Sequence, residues 1–401
     1  MLARLFVLLA ALLCSPARAE PDPRDWPSVL AQARGQTVHF HAWGGDPLAN
    51  AYIDWAGAQA EAEHGVRVVH VKLSDTAQAV ARVLSEKAAG RAEGGAVDLI
   101  WINGPNFAAM KEAGLLFGPW AEDLPNWRFV DVAGKPSVRA DFTVPTEGLE
   151  APWSMAQLVF FHDADRLPEP PRDMAALLDW AHGAPGRFAY PAPPDFLGTT
   201  FLKQALRALT PDPAILAQPV EQADFGAATA PLWAFLDALH PVLWRQGRAW
   251  PATGAQLRAM MADGEIDLAF SFNPNEAAAA IADGQLQGSV RAFALDGGMI
   301  GNASFVAIPF NASAKAGAMV FADLLLSPAA QARKADPEFW GLPTVLDIAA
   351  LPQAERALFD AIETRPGALA PEALGPVLPE PHPSWATALE LEWTRRYGAG
   401  R

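Results

Sequence analysis

The sequence predicts an α/β protein organised as two lobes. Strands and helices alternate through most of its length, which is the pattern of βαβ units. The 401 residues exceed what a single core normally organises. Past residue 150 the alternation changes order, as expected where a chain leaves one lobe for another.

Taken in order, Thr37–Ala42 reads as a strand, Gly44-Gly45 as a turn, and Asp46-Pro47 as a helix start with an N-cap and a first-turn proline. Val66–Leu73 is a β-branched strand. The next helix starts at a capping box of Asp75 and Gln78, buries a stripe of Ala77, Val80, Ala81, Leu84 and Ala88, and stops at Gly90. Val97–Ile102 is almost wholly apolar, the mark of a strand at the centre of a parallel sheet. Gln157–His162 is a strand, followed by a helix over Met174–Trp180 that Asp173 caps.

Beyond it come a short strand at Arg187–Pro191, a helix over Thr199–Leu209 and a helix closing with Leu257–Met261. A strand follows at Ile266–Phe272, then a return strand at Phe305–Pro309 and helices at Ala314–Leu326 and Ala329–Ala335. This order gives lobe 1 as residues 36–152 plus 304–392 and lobe 2 as residues 153–303. Ligand then belongs in the cleft, at the carboxyl ends of the strands.

The N-terminus carries Arg4, an apolar run Leu5–Leu13 and Ala17-Arg18-Ala19, the layout of a secretory signal peptide over residues 1–19 cleaved after Ala19. That run is far shorter than the about 20 residues a membrane span needs. Cys14 is the only cysteine, and Leu13 stands where a lipidation signal wants a small residue. The exported chain would have no disulfide and would depend on its core. Losing Arg4 and Arg18 moves the formal charge from −15 to −17. No basic stripe exists to neutralise phosphates, which excludes nucleic acid as a natural partner and leans towards a neutral or cationic solute.

Several strands run into loops that set small or amide residues beside an aromatic ring. They are Trp43-Gly44-Gly45-Asp46, Trp101-Ile102-Asn103-Gly104, Pro152-Trp153-Ser154, Tyr190–Phe196, Phe272-Asn273, Gly301-Asn302 and Phe339-Trp340-Gly341. Rings with a few amides and hydroxyls suit an organic solute that is stacked and hydrogen-bonded rather than transformed. The same tryptophans, Trp101 and Trp153 above all, also suit packing under a sheet. The candidate ligand residues are Trp43, Gly44, Asp75, Asn103, Trp153, Tyr190, Asp195, Phe196, Thr199, Phe272, Asn273, Asn302 and Trp340. Trp153 and Tyr190 are expected to line the cleft.

Of the nearby acids Asp46, Asp75, Asp195 and Glu276, the first two account for themselves as helix caps. Asp195 has no evident capping duty and is the acid expected to meet a cation, with ring faces in support. Catalytic signatures are absent: no Gly-x-Ser-x-Gly, no His-Glu-x-x-His and no Walker loop. No enzyme activity or cofactor is expected. His39 and His41 share a strand face but lack further metal ligands at related spacing.

His70–Thr76, Val97–Gly104, Asn106–Lys111, Leu115–Trp120, Gly148–Trp153 and Tyr190–Phe201, met in this order, resemble the YnjB-type periplasmic components of ABC importers. The segment Glu150–Asp173 resembles the crossing between lobes in the maltose-binding structural class. The resemblance runs over nearly all of Thr37–Tyr397. It implies a two-lobed class II periplasmic binding protein fold, a small-molecule ligand, a permease pair with its ATPase as partners, and a monomer. The family's usual label, thiamine, is both cationic and aromatic. With only three tyrosines, none adjacent, the tyrosine cluster of ferric-binding relatives is missing. Sugar-binding and metal-binding importer components, and a secreted hydrolase, remain as alternatives.

Overall fold

The computed structural model describes residues 20–398 except 364, 366 and 370. The signal-peptide stretch 1–19, Cys14 included, lies outside the described residues. In chain order the strands are β1 Thr37–Trp43, β2 Arg67–Leu73, β3 Leu99–Ile102, β4 Ala140–Asp141, β5 Val144–Pro145 and β6 Glu150–Gln157. They continue with β7 Val159–Asp163, β8 Leu268–Ser271, β9 Val290–Phe293, β10 Met299–Ala307 and β11 Val377–Leu378.

One sheet has the order β11-β10-β3-β1-β2, with β6 also on β10. β1 pairs in parallel with β2 and β3, while β10 runs antiparallel to β3 and β6. The parallel part follows from two βαβ units. Helix Pro47–His64 starts where Asp46 Oδ1 accepts the Leu48 N–H at 2.8 Å and stops at the left-handed Gly65. Helix Ala77–Ala88 returns the chain from β2 to β3. The second sheet, β8-β7-β9, is antiparallel.

Two hydrophobic cores correspond to these sheets. The first gathers Phe40, Tyr52, Trp153, Phe305, Phe321 and Trp340; the second gathers Phe160, Phe188, Tyr190, Phe201, Phe270, Trp385 and Trp393. The chain passes between them at three places. β6 has Met155 in the first core, and Leu158, just past its end, lies in the second. β10 has Met299 in the second and Ala303 in the first. The last passage lies between Leu351 and Trp385. Among the described residues no helix is long and apolar enough to cross a membrane.

Five expectations change. Gln157–His162 is not one strand: the break at Leu158 is where the backbone changes sheets. The return strand starts at Met299, because Gly301, Asn302 and Ser304, weak strand formers alone, are paired with β6. The helix after β2 buries Ala79, Val83 and Glu86, and leaves Leu84 51% exposed. Its phase is fixed by Glu86, which accepts bonds from Arg82 Nε, Asn311 Nδ2 and the Ala96 N–H. Arg187–Pro191 forms only a bridge, Phe188 to Leu268, since prolines cannot donate to a ladder. Finally, helix Pro383–Tyr397 presents Trp385, Leu389 and Trp393 on one face to the second core, so residues 383–392 build into that core while the helix also touches helix Pro105–Glu112 of the first lobe.

Candidate inter-lobe ligand site

β1 ends at Trp43, 42% exposed, and β3 carries Trp101, whose ring meets it edge to face at 6.5 Å. Trp340 lies 5.7 Å from Trp101 and donates from Nε1 to Asp46 Oδ2 at 3.2 Å. In the other lobe, Phe196 opens helix Phe196–Leu209, is 47% exposed, and meets Phe272 edge to face at 5.2 Å. Each lobe therefore offers an edge-to-face aromatic pair with one ring open to solvent, the favoured geometry for two quadrupoles.

The lobes are joined beside these pairs. Asn273 Nδ2 donates to the Trp340 carbonyl at 3.2 Å, and Asn275 Nδ2 to that of Gly341. Gly341 has φ +80°, and a Cβ there would fall 2.7 Å from Asn275 Cβ, so glycine permits this approach.

Deeper in, Lys203 is 2% exposed and donates to Glu380 Oε2 at 2.6 Å, with the Phe142 ring 4.5 Å from its ammonium. Phe142 and Thr143 form the tip of the β4–β5 hairpin with φ of 44° and 71°, a left-handed pair without glycine. Strain of this kind, about 1–3 kcal/mol per residue, persists only where surroundings fix it. Asp141 Oδ2 accepts the Gly104 N–H at 2.7 Å, and Asn302 Nδ2 donates to Glu380 Oε1 at 3.0 Å.

Burial holds the Asp141 carboxyl well above the usual range, and Glu380 nearby adds to it. Glu150 is raised the same way, by burial and then by Asp141. Glu390, on the C-terminal helix, accepts from Thr199 Oγ1 at 2.7 Å. Burial raises its pKa and Asp75 adds repulsion, against the Thr199 bond and Lys203.

The candidates from sequence divide accordingly. Trp43, Phe196, Phe272, Asn273 and Trp340 are linked in the arrangement above, and Thr199 and Asn302 sit beneath it. Gly44 donates its N–H to the Leu73 carbonyl at the end of β2, Asp75 caps the following helix through the Ala77 N–H, and Asn103 is half-buried after β3. Gln78 bonds Ser74 Oγ instead of completing a capping box.

Three expectations are corrected. Trp153 is fully buried in the first core, 4.9 Å from Trp101 and 5.4 Å from Trp340, because β6 is covered on both faces. Tyr190 is fully buried in the second core, its hydroxyl bonded to His240 Nε2 and Trp393 Nε1, each at 2.8 Å. Asp195 does have a capping duty: its Oδ1 accepts the Leu197 and Gly198 N–H groups. Burial raises its pKa against those two bonds.

Lys203, Glu380, Asp141 and Glu390 escaped the sequence reading, since no motif marks any of them. His39 Nδ1 lies 3.0 Å from Asp98 Oδ2, and among the described residues no three His, Cys, Asp or Glu side chains gather as a metal site.

Comparison places this geometry among known proteins. The family profile described as bacterial extracellular solute-binding protein matches residues 55–358. Protein YnjB of Escherichia coli (strain K12) is 49% identical over 374 residues, covering 93% of this chain and 94% of YnjB. The periplasmic binding protein AfuA from Actinobacillus pleuropneumoniae, with fructose-6-phosphate bound, superposes with a TM-score of 0.62 at 15% identity, over 90% of this chain and 99% of AfuA. The spermidine/putrescine ABC transporter substrate-binding protein PotD from Streptococcus pneumoniae gives 0.60 at 15% identity, over 91% and 99%. The fold is thus the two-lobed class II periplasmic binding protein fold. One of these proteins has an anionic sugar phosphate bound and the other is named for polyamines, so the shared fold does not fix the ligand.

Proposed function

The chain belongs to the bacterial extracellular solute-binding protein family, and on that premise we propose which solute it carries. It is the solute-binding component of an ABC transporter, and its ligand in this reading is a cationic or neutral organic molecule with an aromatic or hydroxylated body, a thiamine-like solute being one such. Lobe 1 corresponds to the first core and lobe 2 to the second. The solute bridges them, the strands crossing at Leu158 and within β10 bend, and the closed form docks on a permease driven by its ATPase. The protein works as an exported monomer, released from its signal peptide after Ala19.

The observation that carries this reading is the pair of half-exposed rings, Trp43 and Phe196, each backed edge to face by a second ring on its own lobe. A flat solute between them gains stacking on both sides only when the lobes close, which is the differential contact that closure requires. The charges nearby support a cation. Asp75 and Glu390 lie close enough to repel each other beside Thr199, while Lys203 is already neutralised by Glu380.

Calorimetry across thiamine, its mono- and diphosphate, spermidine, oligosaccharides and inorganic oxyanions tests the reading. Binding is expected from the aromatic or amine cations, weakened by about 1–3 kcal/mol in Trp43→Ala and in Phe196→Ala. Tight binding of an inorganic oxyanion, with every cation failing, overturns it. Binding of oligosaccharides alone would reassign the rings to sugar stacking.

A further inference from the structure

Seven of the fourteen buried side-chain polar atoms that no protein group hydrogen-bonds, among the described residues, fall between Asp141 and Ser154. They are Asp141 Oδ1, the Thr143 and Thr146 hydroxyls, both Glu150 oxygens, Trp153 Nε1 and the Ser154 hydroxyl. Asn302 Oδ1 is another, on the strand that pairs with β6. Four of these eight, Asp141 Oδ1, both Glu150 oxygens and Asn302 Oδ1, are carboxyl or amide oxygens, and natural proteins seldom leave such atoms without donors.

The excess has a direction. Asn302 is 4% exposed and spends its Nδ2 on Glu380, which leaves its buried Oδ1 with nothing donating to it. Asp141 is fully buried, spends Oδ2 on the Gly104 N–H, and interacts electrostatically with both Lys203 and Glu380. Lys203 cannot balance the node, because Glu380 already takes its charge at 2.6 Å. Lys111, the cation that acts on Glu150, is held by Glu147 at 3.1 Å and the Pro145 carbonyl at 2.6 Å. Asp141 and Glu150 are therefore surplus carboxyls beside an acceptor-only amide oxygen. They stand where the first-lobe hairpin touches Lys203 of the second lobe, beneath the exposed ring of Phe196, which lies 5.7 Å from the same ammonium.

We propose that the root of the cleft is an acceptor subsite: Asp141 Oδ1 and Asn302 Oδ1 receive N–H bonds from the cationic end of the solute, an ammonium or amidinium-type group, while its body lies between the aromatic pairs. This rests on the cationic reading above and narrows it to cations that carry N–H donors. A fully alkylated ammonium satisfies ring faces as well as a protonated amine does, but leaves the acceptors unmet.

The test uses two probes, phenethylammonium and its N,N,N-trimethyl counterpart, titrated calorimetrically into the wild-type protein and into Asp141→Asn. Asparagine keeps an acceptor for the Gly104 N–H and cannot become a carboxylate when a cation arrives. The wild type is expected to prefer the N–H-bearing probe at least about tenfold, the scale of one charge-assisted hydrogen bond. Asp141→Asn should bring the two within about twofold by weakening only the first probe. Asn302→Ser, checked for folding by circular dichroism, carries the same comparison should Asp141→Asn fail to fold. Equal binding of both probes to the wild type, or an unchanged ratio in the variants, overturns the subsite and leaves the aromatic reading standing. Failure of both probes to bind overturns the subsite, and failure of thiamine and spermidine as well overturns the cationic reading with it.

Discussion

Each lobe buries an aromatic cluster around polar groups, and the two clusters treat those groups differently. In the first, Tyr52, Trp101, Trp153 and Trp340 pack ring against ring, and Lys334 enters with its ammonium 5.3 Å from Trp153 and 5.8 Å from Tyr52. Lys334 is fully buried and its Nζ has no hydrogen-bond partner in the protein. In the second, Tyr190 stacks on Phe201 and its hydroxyl bonds both His240 and Trp393, while Tyr397 donates to Asp237. The second cluster is closed on itself. The first continues through Trp101 to the exposed Trp43, so the open cluster is the one that reaches the cleft.

Buried lysines sharpen that contrast most. Lys203 has a carboxylate partner and Lys334 has only rings. Removing one member of a buried ion pair leaves the other charge stranded, so Lys203→Met should destabilise the protein by about 3–5 kcal/mol in urea or guanidinium unfolding. Lys334→Met is expected to be neutral or to stabilise by about 1–4 kcal/mol, since methionine fills similar volume without desolvating a charge. Burial holds the Lys334 ammonium well below its ordinary value of 10.5. The unfolded chain then keeps its proton to higher pH than the folded one, so stability rises with pH up to about 10.4. Lys334→Met should flatten that rise. Equal losses in the two variants would erase the distinction between the clusters.

The next effect is smaller and belongs to the closed cluster. Tyr190→Phe removes one hydroxyl that serves two partners, at an expected cost of about 1–3 kcal/mol with solute affinity unchanged. A large affinity loss at unchanged stability would instead return Tyr190 to the cleft, where the sequence had placed it. What a sequence displays about such residues is local. Asp46 and Asp173 cap the helices that their neighbours announce, because a cap needs only three or four residues of context. Trp43 and Trp153 both stand beside small residues, yet one is exposed and the other buried. Only the covering of β6 on both faces decides between them. Lys203 and Glu380 are 177 residues apart, and Glu390 reaches Thr199 across 191. No motif marks either partner, and the fold alone brings them together.

The smallest effect tests the two regions by the sign of their pH dependence. Burial holds His240 down to about 4, with Asp237 opposing, against an ordinary value of 6.5. Between those values the unfolded chain binds the proton and the folded one does not, so stability is present above 6.5 and is lost as pH falls towards 4. The buried carboxyls Asp141 and Glu150 act in the opposite sense. Asp141 and Glu150 are raised by burial, so the folded state holds their protons longer, and their contribution is lost as pH rises through the raised values. Because the two slopes partly cancel in the whole protein, the informative quantity is the difference between wild type and variant. His240→Gln should flatten the loss between pH 6.5 and 4, and Asp141→Asn should steepen it. If the two substitutions move the slope in the same direction, Asp141 is ionised in the folded state and its Oδ1 stands as a full carboxylate that a cation must neutralise.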